Sequence, residues 1–433
     1  MPLVKEIFSY LNANCNYAVL RNYAGLPDNL VGRDIDILIE KNDFDNNRRH
    51  IVNIILKENY RIITYFKSDR MTTFVCSAIN KCNVDIIQFD FFCQTSAYGL
   101  IHLDANQILK TRAFNGKIYH VTREFEFLDK YLYLKSLNQP YPEKYQALKK
   151  VMEQSALLNN ILKEIIGLNS LQELEKLSSA AFRRKALLAN LRKRPLTQLL
   201  SFYSFLLSYL KNLLFHNGYS IGFTGADGSG KTTVINKIIE TLKKTYPTIE
   251  LFHFRPSMLP NLGETAHKIK LKSEVDRNFS QPHRGGETGK LNSLIRLLYY
   301  SIDYVLGYFV RVRPLLYKRS VVIFDRYFTD IIADSRRSRI FLNHKFLYWF
   351  GKLFIPNLDY NILLAADRNV ILARKQELDV EGIDQINEKM KYLSKKKGYY
   401  LVMNNGNPEE AVQKILSIVF EGQHSKNMKR IMK

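Results

Sequence analysis

At 433 residues the chain has length for two or three domains, and a content of 46% hydrophobic and 24% charged residues excludes a disordered polymer. The formal net charge of +23 narrows the partners to polyanionic ligands, anionic lipid headgroups or nucleic acid. The four cysteines, Cys15, Cys76, Cys82 and Cys93, form no C-x-x-C pair, which argues against zinc and fits free thiols in a reducing compartment. The start, Met1-Pro-Leu-Val-Lys-Glu6, lacks the basic and apolar regions of a secretory signal, and the uncharged stretch Pro195 to Leu210 is too short to span a bilayer. A cytoplasmic protein is expected.

From the beginning to about residue 145, short apolar runs alternate with turns. Strands are predicted at Tyr17–Leu20, Ile35–Ile39, Thr73–Ala78 and Val84–Phe92, and helices at Phe44–Asn59 and Phe127–Leu137. Residues 146–217 read as a helical, basic linker carrying Arg183-Arg184-Lys185 and Arg192-Lys193-Arg194. After Pro195, Leu199, Leu200, Tyr203, Leu206, Leu207, Leu210, Leu213 and Leu214 share one helical face, and Thr197, Ser201, Ser204, Ser208 and Lys211 line the other. Two roles fit this amphipathic segment: packing between two domains, or lying on an anionic membrane surface with the basic cluster beside it.

Residues 218–422 alternate strand and helix. The strands fall at Ser220–Thr224, Ile249–Phe254, Ser320–Phe324, Asp359–Ala365 and Tyr399–Met403, the pattern of a parallel sheet covered on both faces. The end, 423–433, reads as a basic, frayed tail. The fold class is therefore α/β in the C-terminal half and α+β in the N-terminal half, joined by the helical linker.

Chemistry concentrates in Gly225-Ala-Asp-Gly-Ser-Gly-Lys-Thr-Thr233, which joins a strand to a helix. Gly225, Gly228, Ser229 and Gly230 let backbone N–H groups turn around a phosphate chain at the positive end of the helix. Lys231 reaches the β/γ-phosphates, the Thr232 hydroxyl sits on Mg²⁺, and Thr233 continues the cradle. ATP and Mg²⁺ are the expected cofactors. Downstream, Val321-Val-Ile-Phe-Asp325-Arg326-Tyr327 ends a hydrophobic strand in a carboxylate, so Asp325 emerges beside the loop as a second Mg²⁺ ligand and Arg326 neutralises a phosphoryl group.

This loop together with Asp325-Arg326-Tyr327 resembles the thymidylate kinase family. The resemblance covers roughly residues 218–422 and implies a kinase in which Lys231, Asp325, Arg326 and Asp227 are catalytic. It further implies that Asp227 faces the acceptor's sugar hydroxyl, that Arg255 in Phe254-Arg255-Pro256 grips the acceptor phosphate, and that Arg374 contacts the donor nucleotide. The chain departs from the family in the segment after Arg374, which is largely acidic instead of arginine-rich. It departs again in a long stretch between Pro256 and Arg319 containing His283-Arg284-Gly-Gly, and in the cluster Arg336, Arg337 and Arg339. That architecture is similar to divergent thymidylate-kinase-like proteins associated with bacterial surface-polysaccharide synthesis. The acceptor is then a small molecule or glycan carrying phosphate, with a true nucleoside monophosphate kinase as the rival. A nucleic-acid-binding ATPase is the reading from another class; no recognisable nucleic-acid module supports it. A homodimer is expected.

In the N-terminal half, Asp34 and Asp36 stand two apart on one strand, and Asp85 lies on another. Three such carboxylates can share metal for nucleotidyl transfer. With Tyr17-Ala-Val-Leu-Arg21 before them, they resemble the polymerase-β-type nucleotidyltransferase superfamily in its minimal bacterial branch. The superfamily's Gly-Ser helix start is replaced by Leu20-Arg21-Asn22. An active transferase and an inactive positioning domain both remain open.

Overall fold

The computed structural model describes residues 1–32, 34–80, 83–214, 217–246, 248–259, 289–375 and 379–432, without the side chains of residues 80, 83, 144, 213 and 214. Cys82, His283-Arg284-Gly-Gly, Leu213 and Leu214 on their helical face, and residues 376–378 of the acidic run lie outside that description. Cys15, Cys76 and Cys93 are free thiols. The chain divides into two compact units: residues 1–78 with 85–214 and 420–433, and residues 79–84 with 215–419. The helical segment that follows residue 146 thus falls within the first unit up to Leu214.

The first unit is built on strands β1 (Tyr17–Val19), β2 (Asp34–Ile39), β3 (Arg61–Lys67), β4 (Met71–Asn80), β5 (Asn83–Phe92), β8 (Ala113–Phe114) and β9 (Tyr119–His120). Between β5 and β8, β6 (Ser96–Ala97) and β7 (Leu100–Ile101) form a separate hairpin. Among the described residues the main sheet has the order β3-β4-β5-β2-β1-β9-β8. It is mixed: β2 runs antiparallel to β1 and parallel to β5. Alternation along the strands decides which core each residue joins. Tyr17, Val19, Ile35, Ile37 and Ile39 pack with the helices Pro2–Asn14 and Lys41–Lys57. Ala18, Leu20 and Leu38 point the other way, into a core shared with Arg123–Ser136 and Ala156–Ile166.

The C-terminal end is helix, not a frayed tail. Pro408–Ile431 is continuous, and its final turns complete the first unit's core. Ile431 is fully buried, Asn427 Nδ2 donates to Ile62 O at 3.1 Å, and Ile62 N donates to His424 Nδ1 at 3.1 Å. Basic composition concealed this because the lysines face outward while Ile431 and Met428 pack inward.

The second unit's strands, β10 (Tyr219–Thr224), β11 (Ile249–His253), β12 (Val321–Asp325), β13 (Tyr360–Ala365) and β14 (Tyr399–Met403), are all parallel, in the order β11-β12-β10-β13-β14. Strand β10 therefore has a later strand on each side. The crevice at its carboxyl end is the switch point where open α/β sheets bind ligands.

Candidate active site

The loop 225–230 leaves the carboxyl end of β10 and enters the helix Lys231–Leu242. Its glycines are required by space. A Cβ on Gly225 would lie 2.2 Å from Leu364 O, and Gly230 has φ +85° with Asn404 Nδ2 only 2.4 Å from where its Cβ would be. Asn404 Nδ2 donates to Ser229 O at 2.8 Å, tying the loop to the segment after β14. Arg374 Nη1 donates to Asn404 O at 3.0 Å, which places its side chain beside this loop. Thr232 and Thr233 are exposed at the start of the helix.

Lys231 is buried, and its ammonium donates to Gly225 O at 2.8 Å and Ala226 O at 2.9 Å. Burial, and then the positive charge of Arg326, push its pKa down to about 8. Asp227 stands at the centre of the charged groups. It accepts from Arg326 Nη2 at 2.5 Å and from Arg337 Nη2, and lies 3.9 Å from Lys231 Nζ. Arg326 also binds Asp330, with Nη1 at 2.8 and 2.9 Å from the two carboxylate oxygens. Asp330 is itself buried, and that burial raises its pKa against the opposing pull of Arg326. Arg326 has φ +75°, an uncommon conformation for a side-chain-bearing residue, fixed here by its N–H donating to Phe223 O at 2.9 Å.

Asp325 ends β12 opposite Phe223 of β10. Its Oδ1 is buried with no hydrogen-bond partner, and its Oδ2 lies 3.4 Å from His253 Nδ1. A buried carboxylate oxygen left without a proton donor is of the kind that fits a hard cation such as the expected Mg²⁺.

Arg255 is likewise buried. It pairs with Asp303 at 3.1 Å and stacks over Tyr300, 4.7 Å from the ring centre. Asp303 also accepts from the backbone N–H of Met258 at 2.7 Å and of Leu259 at 2.6 Å, so one carboxylate fixes the whole turn after β11. Within the arginine cluster, Arg337 reaches Asp227, Arg336 pairs with Asp379 at 2.9 Å, and Arg339 caps the short helix Ser335–Ser338 with φ +53°. Adjacent residues on a helix project about 100° apart, so Arg336 and Arg337 face different partners. Asp303 and Asp330 escaped the sequence reading. For Asp330 a signal was present, since it lies four residues after Arg326.

In the first unit, Asp34 and Asp36 do come together with a third carboxylate, but it is Asp90, not Asp85. One oxygen of each lies within 4.8 Å of the others. Strand parity explains the correction. Asp36 stands opposite Asp90 on the parallel neighbour β5, whereas Asp85 has the opposite parity and points to the other face, where Tyr60 Oη donates to it. Arg21, just past β1, donates to Asp36 and lies 3.7 Å from Asp129. Asp36 is therefore already neutralised by a guanidinium, and burial raises its pKa while Arg21 lowers it.

Asp90 accepts from Thr73 Oγ1 at 2.5 Å and Gln88 Nε2 at 2.8 Å, and burial pushes its pKa up to about 6. Its folded value exceeds the ordinary 3.8, so the native state holds a proton that the unfolded chain has released between those pH values. Stability consequently falls as pH rises through that window. Asp90→Asn should stabilise the first unit by about 1–2 kcal/mol at pH 7 and by nothing below pH of about 4. Hydrogen exchange at the β5 amides measures this; equal protection of variant and wild type at pH 7 would show the carboxylate to be uncharged there.

Comparison with known proteins bears on the second unit. Residues 201–390 match the KAP family P-loop domain. A probable thymidylate kinase of Pyrobaculum aerophilum is 24% identical over 206 residues, 46% of this chain and 95% of that protein. The crystal structure of thymidylate kinase from Ehrlichia chaffeensis is 18% identical, with 47% of this chain and 98% of that one covered at a TM-score of 0.34. The KAP match does not extend to residues 1–145. Roughly half of the chain is thus similar in sequence to P-loop NTPase domains and to thymidylate kinases.

Proposed function

We propose that the second unit is an ATP-dependent phosphotransferase whose acceptor already carries an anionic group, phosphate on a nucleotide-like or sugar compound. The observation that carries this is Asp227 held between Arg326 and Arg337 inside the phosphate loop. A loop that only hydrolysed ATP needs no pair of guanidiniums on its own carboxylate. Two guanidiniums converging on one loop carboxylate offer donors that can turn to an incoming dianion, and such charge-assisted contacts are the strong ones.

In the reaction the bond from the γ-phosphorus to the bridging oxygen of ATP breaks, and a bond from phosphorus to an acceptor oxygen forms. Lys231 and Arg326 spread the charge of the loose transition state, and the backbone N–H groups of the loop hold the β-phosphate. Mg²⁺, held by Thr232 and Asp325, would supply further charge neutralisation between the phosphates. Asp227 orients the acceptor and gives up its guanidinium partners as the acceptor enters.

Similarity to a probable thymidylate kinase favours a second reading, in which dTMP is the acceptor. The acidic run after Arg374 and the insertion beyond Pro256 favour the first. Turnover with ATP should be compared for dTMP and for sugar phosphates; a kcat/KM on dTMP of about 10⁴ M⁻¹s⁻¹ or more would favour the nucleotide. Turnover with no acceptor tested, while ATP hydrolysis is stimulated by DNA, would reject both in favour of a nucleic-acid-dependent ATPase. Arg337→Ala should raise the KM of the true acceptor about 10- to 100-fold and leave ATP affinity within about twofold. Equal losses for both substrates would mean that Arg337 serves the loop and not the acceptor.

For the first unit, we hold to a nucleotidyltransferase-like scaffold that positions a substrate, since Arg21 occupies Asp36 where a metal would need the free carboxylate.

A further inference from the structure

The helix Pro195–Leu214 packs the wrong way round for its pattern. Its inward face is polar: Gln198 is fully buried, donating Nε2 to Gly99 O at 2.8 Å while its Oε1 accepts from Ile101 N at 3.2 Å and Asn190 Nδ2 at 2.8 Å. One turn on, Ser201 is buried and accepts from Gln94. Phe202 adds the apolar contact, so close to Gly99 that a Cβ there would lie 2.9 Å from its ring. The apolar face is the one left outside. Leu196, Leu199, Leu200, Tyr203, Leu206 and Leu210 are all exposed, Leu196 to 75%. The polar face turns inward because the backbone of 99–101 offers hydrogen-bonding groups that only this face can satisfy.

A contiguous apolar stripe of this length on a soluble surface marks an interaction site. Its surroundings identify the partner. From Lys176 to Ala226 there is no Asp or Glu, while there are eight Lys and Arg. On the preceding helix Ser179–Lys193, Arg184, Leu188, Leu191 and Arg192 are spaced to share one exposed face, so the same mixture of apolar and cationic side chains begins before Pro195. Lys211 is exposed near the far end. Nucleic acid would use the charge but has nothing to take up a row of leucines. Among the described residues no helix is long and apolar enough to cross a membrane.

We propose that Pro195–Leu214 lies in the plane of an anionic lipid bilayer, its Leu/Tyr face in the acyl boundary and Arg184, Arg192 and Lys211 at the headgroups. The rigid polar seam through Gln198 holds that face outward before any lipid is met, so the docking helix is preorganised and does not have to fold on binding.

The full-length protein should cosediment with phosphatidylcholine vesicles containing about 30 mol % phosphatidylglycerol, and at least about tenfold less with phosphatidylcholine alone. Leu200→Glu with Leu206→Glu should abolish binding while leaving the far-UV spectrum, unfolding midpoint and ATP binding as in the wild type, because both side chains are exposed. Arg184→Glu with Arg192→Glu provides a second variant that leaves the leucines in place and should also release the protein. The proposal is overturned by vesicle binding that neither double variant weakens, or by no binding at all. It is equally overturned by a wild-type dimer that the leucine variant converts to monomer without any vesicle association, which would make the face a contact between two copies.

Discussion

Lys231→Met should abolish phosphoryl transfer, lowering kcat/KM by about 10³-fold or more, and at the same time make the ligand-free protein more stable at pH 7. The two effects have one cause. Burial holds the ammonium pKa near 8, below its ordinary 10.5, so the native state loses a proton that the unfolded chain retains between those values. Stability of the wild type then rises with pH across that window, and below it the buried charge is a cost. Replacing the ammonium by a methyl thioether removes that cost but leaves the carbonyls of Gly225 and Ala226 without their donor. The net gain is about 1–3 kcal/mol at pH 7, shrinking towards zero above a pH of about 10. Urea unfolding at both pH values, beside an ATP turnover assay, measures it. A variant that turns over ATP like the wild type would end the kinase assignment, whatever its stability.

The second large effect belongs to Arg326. Removing it strands Asp330, a buried carboxylate with two hydrogen bonds to that guanidinium, and takes a partner from Asp227. Breaking a buried pair from one side costs about 3–5 kcal/mol, because the remaining charge has no solvent to return to. Arg326→Met should therefore be strongly destabilised, and Arg326→Met with Asp330→Asn should recover most of that loss by removing the stranded charge. Activity should not recover in the double variant, since the transition-state contact proposed for Arg326 is still missing. A single variant within about 0.5 kcal/mol of the wild type would show that the loop is held by other contacts.

How much of this could be read from the sequence differed between the halves. In the C-terminal half each predicted strand falls within one residue of the observed one at either end, because the central strands β10, β12 and β13 are buried on both faces and so are mostly apolar runs closed by turns. The loop at 225–233 was legible for another reason: its glycines are dictated by contacts with Leu364 and Asn404, which only a bare Cα satisfies. In the N-terminal half the carboxylates Asp34 and Asp36 do stand together, but choosing Asp90 over Asp85 as the third required the register between β2 and β5, which hydrophobicity does not encode. The helix Pro2–Asn14 carried a readable signal in Leu3, Ile7, Phe8 and Leu11 and was not identified; β3 was missed beside it. For Pro195–Leu214, periodicity specified the two faces and gave no information on which one turns inward. That depended on acceptors at Gly99 and a donor at Ile101, a hundred residues away.

Residues 420–431 belong to the first unit although 205 residues of the second, 215–419, are threaded between them and the rest of it. A nascent chain emerging from the ribosome therefore presents β3 with its Ile62 amide and carbonyl lacking the partners His424 and Asn427 until the whole kinase-like segment has been made. Domains generally fold in the order they are synthesised, at about 5–20 residues per second. Here the earlier unit waits roughly 10–40 s at that rate for its last helix, while the later one can close first. The half of the protein that begins the chain is thus the half that finishes folding last, and a fragment ending at Leu214 lacks part of its own core.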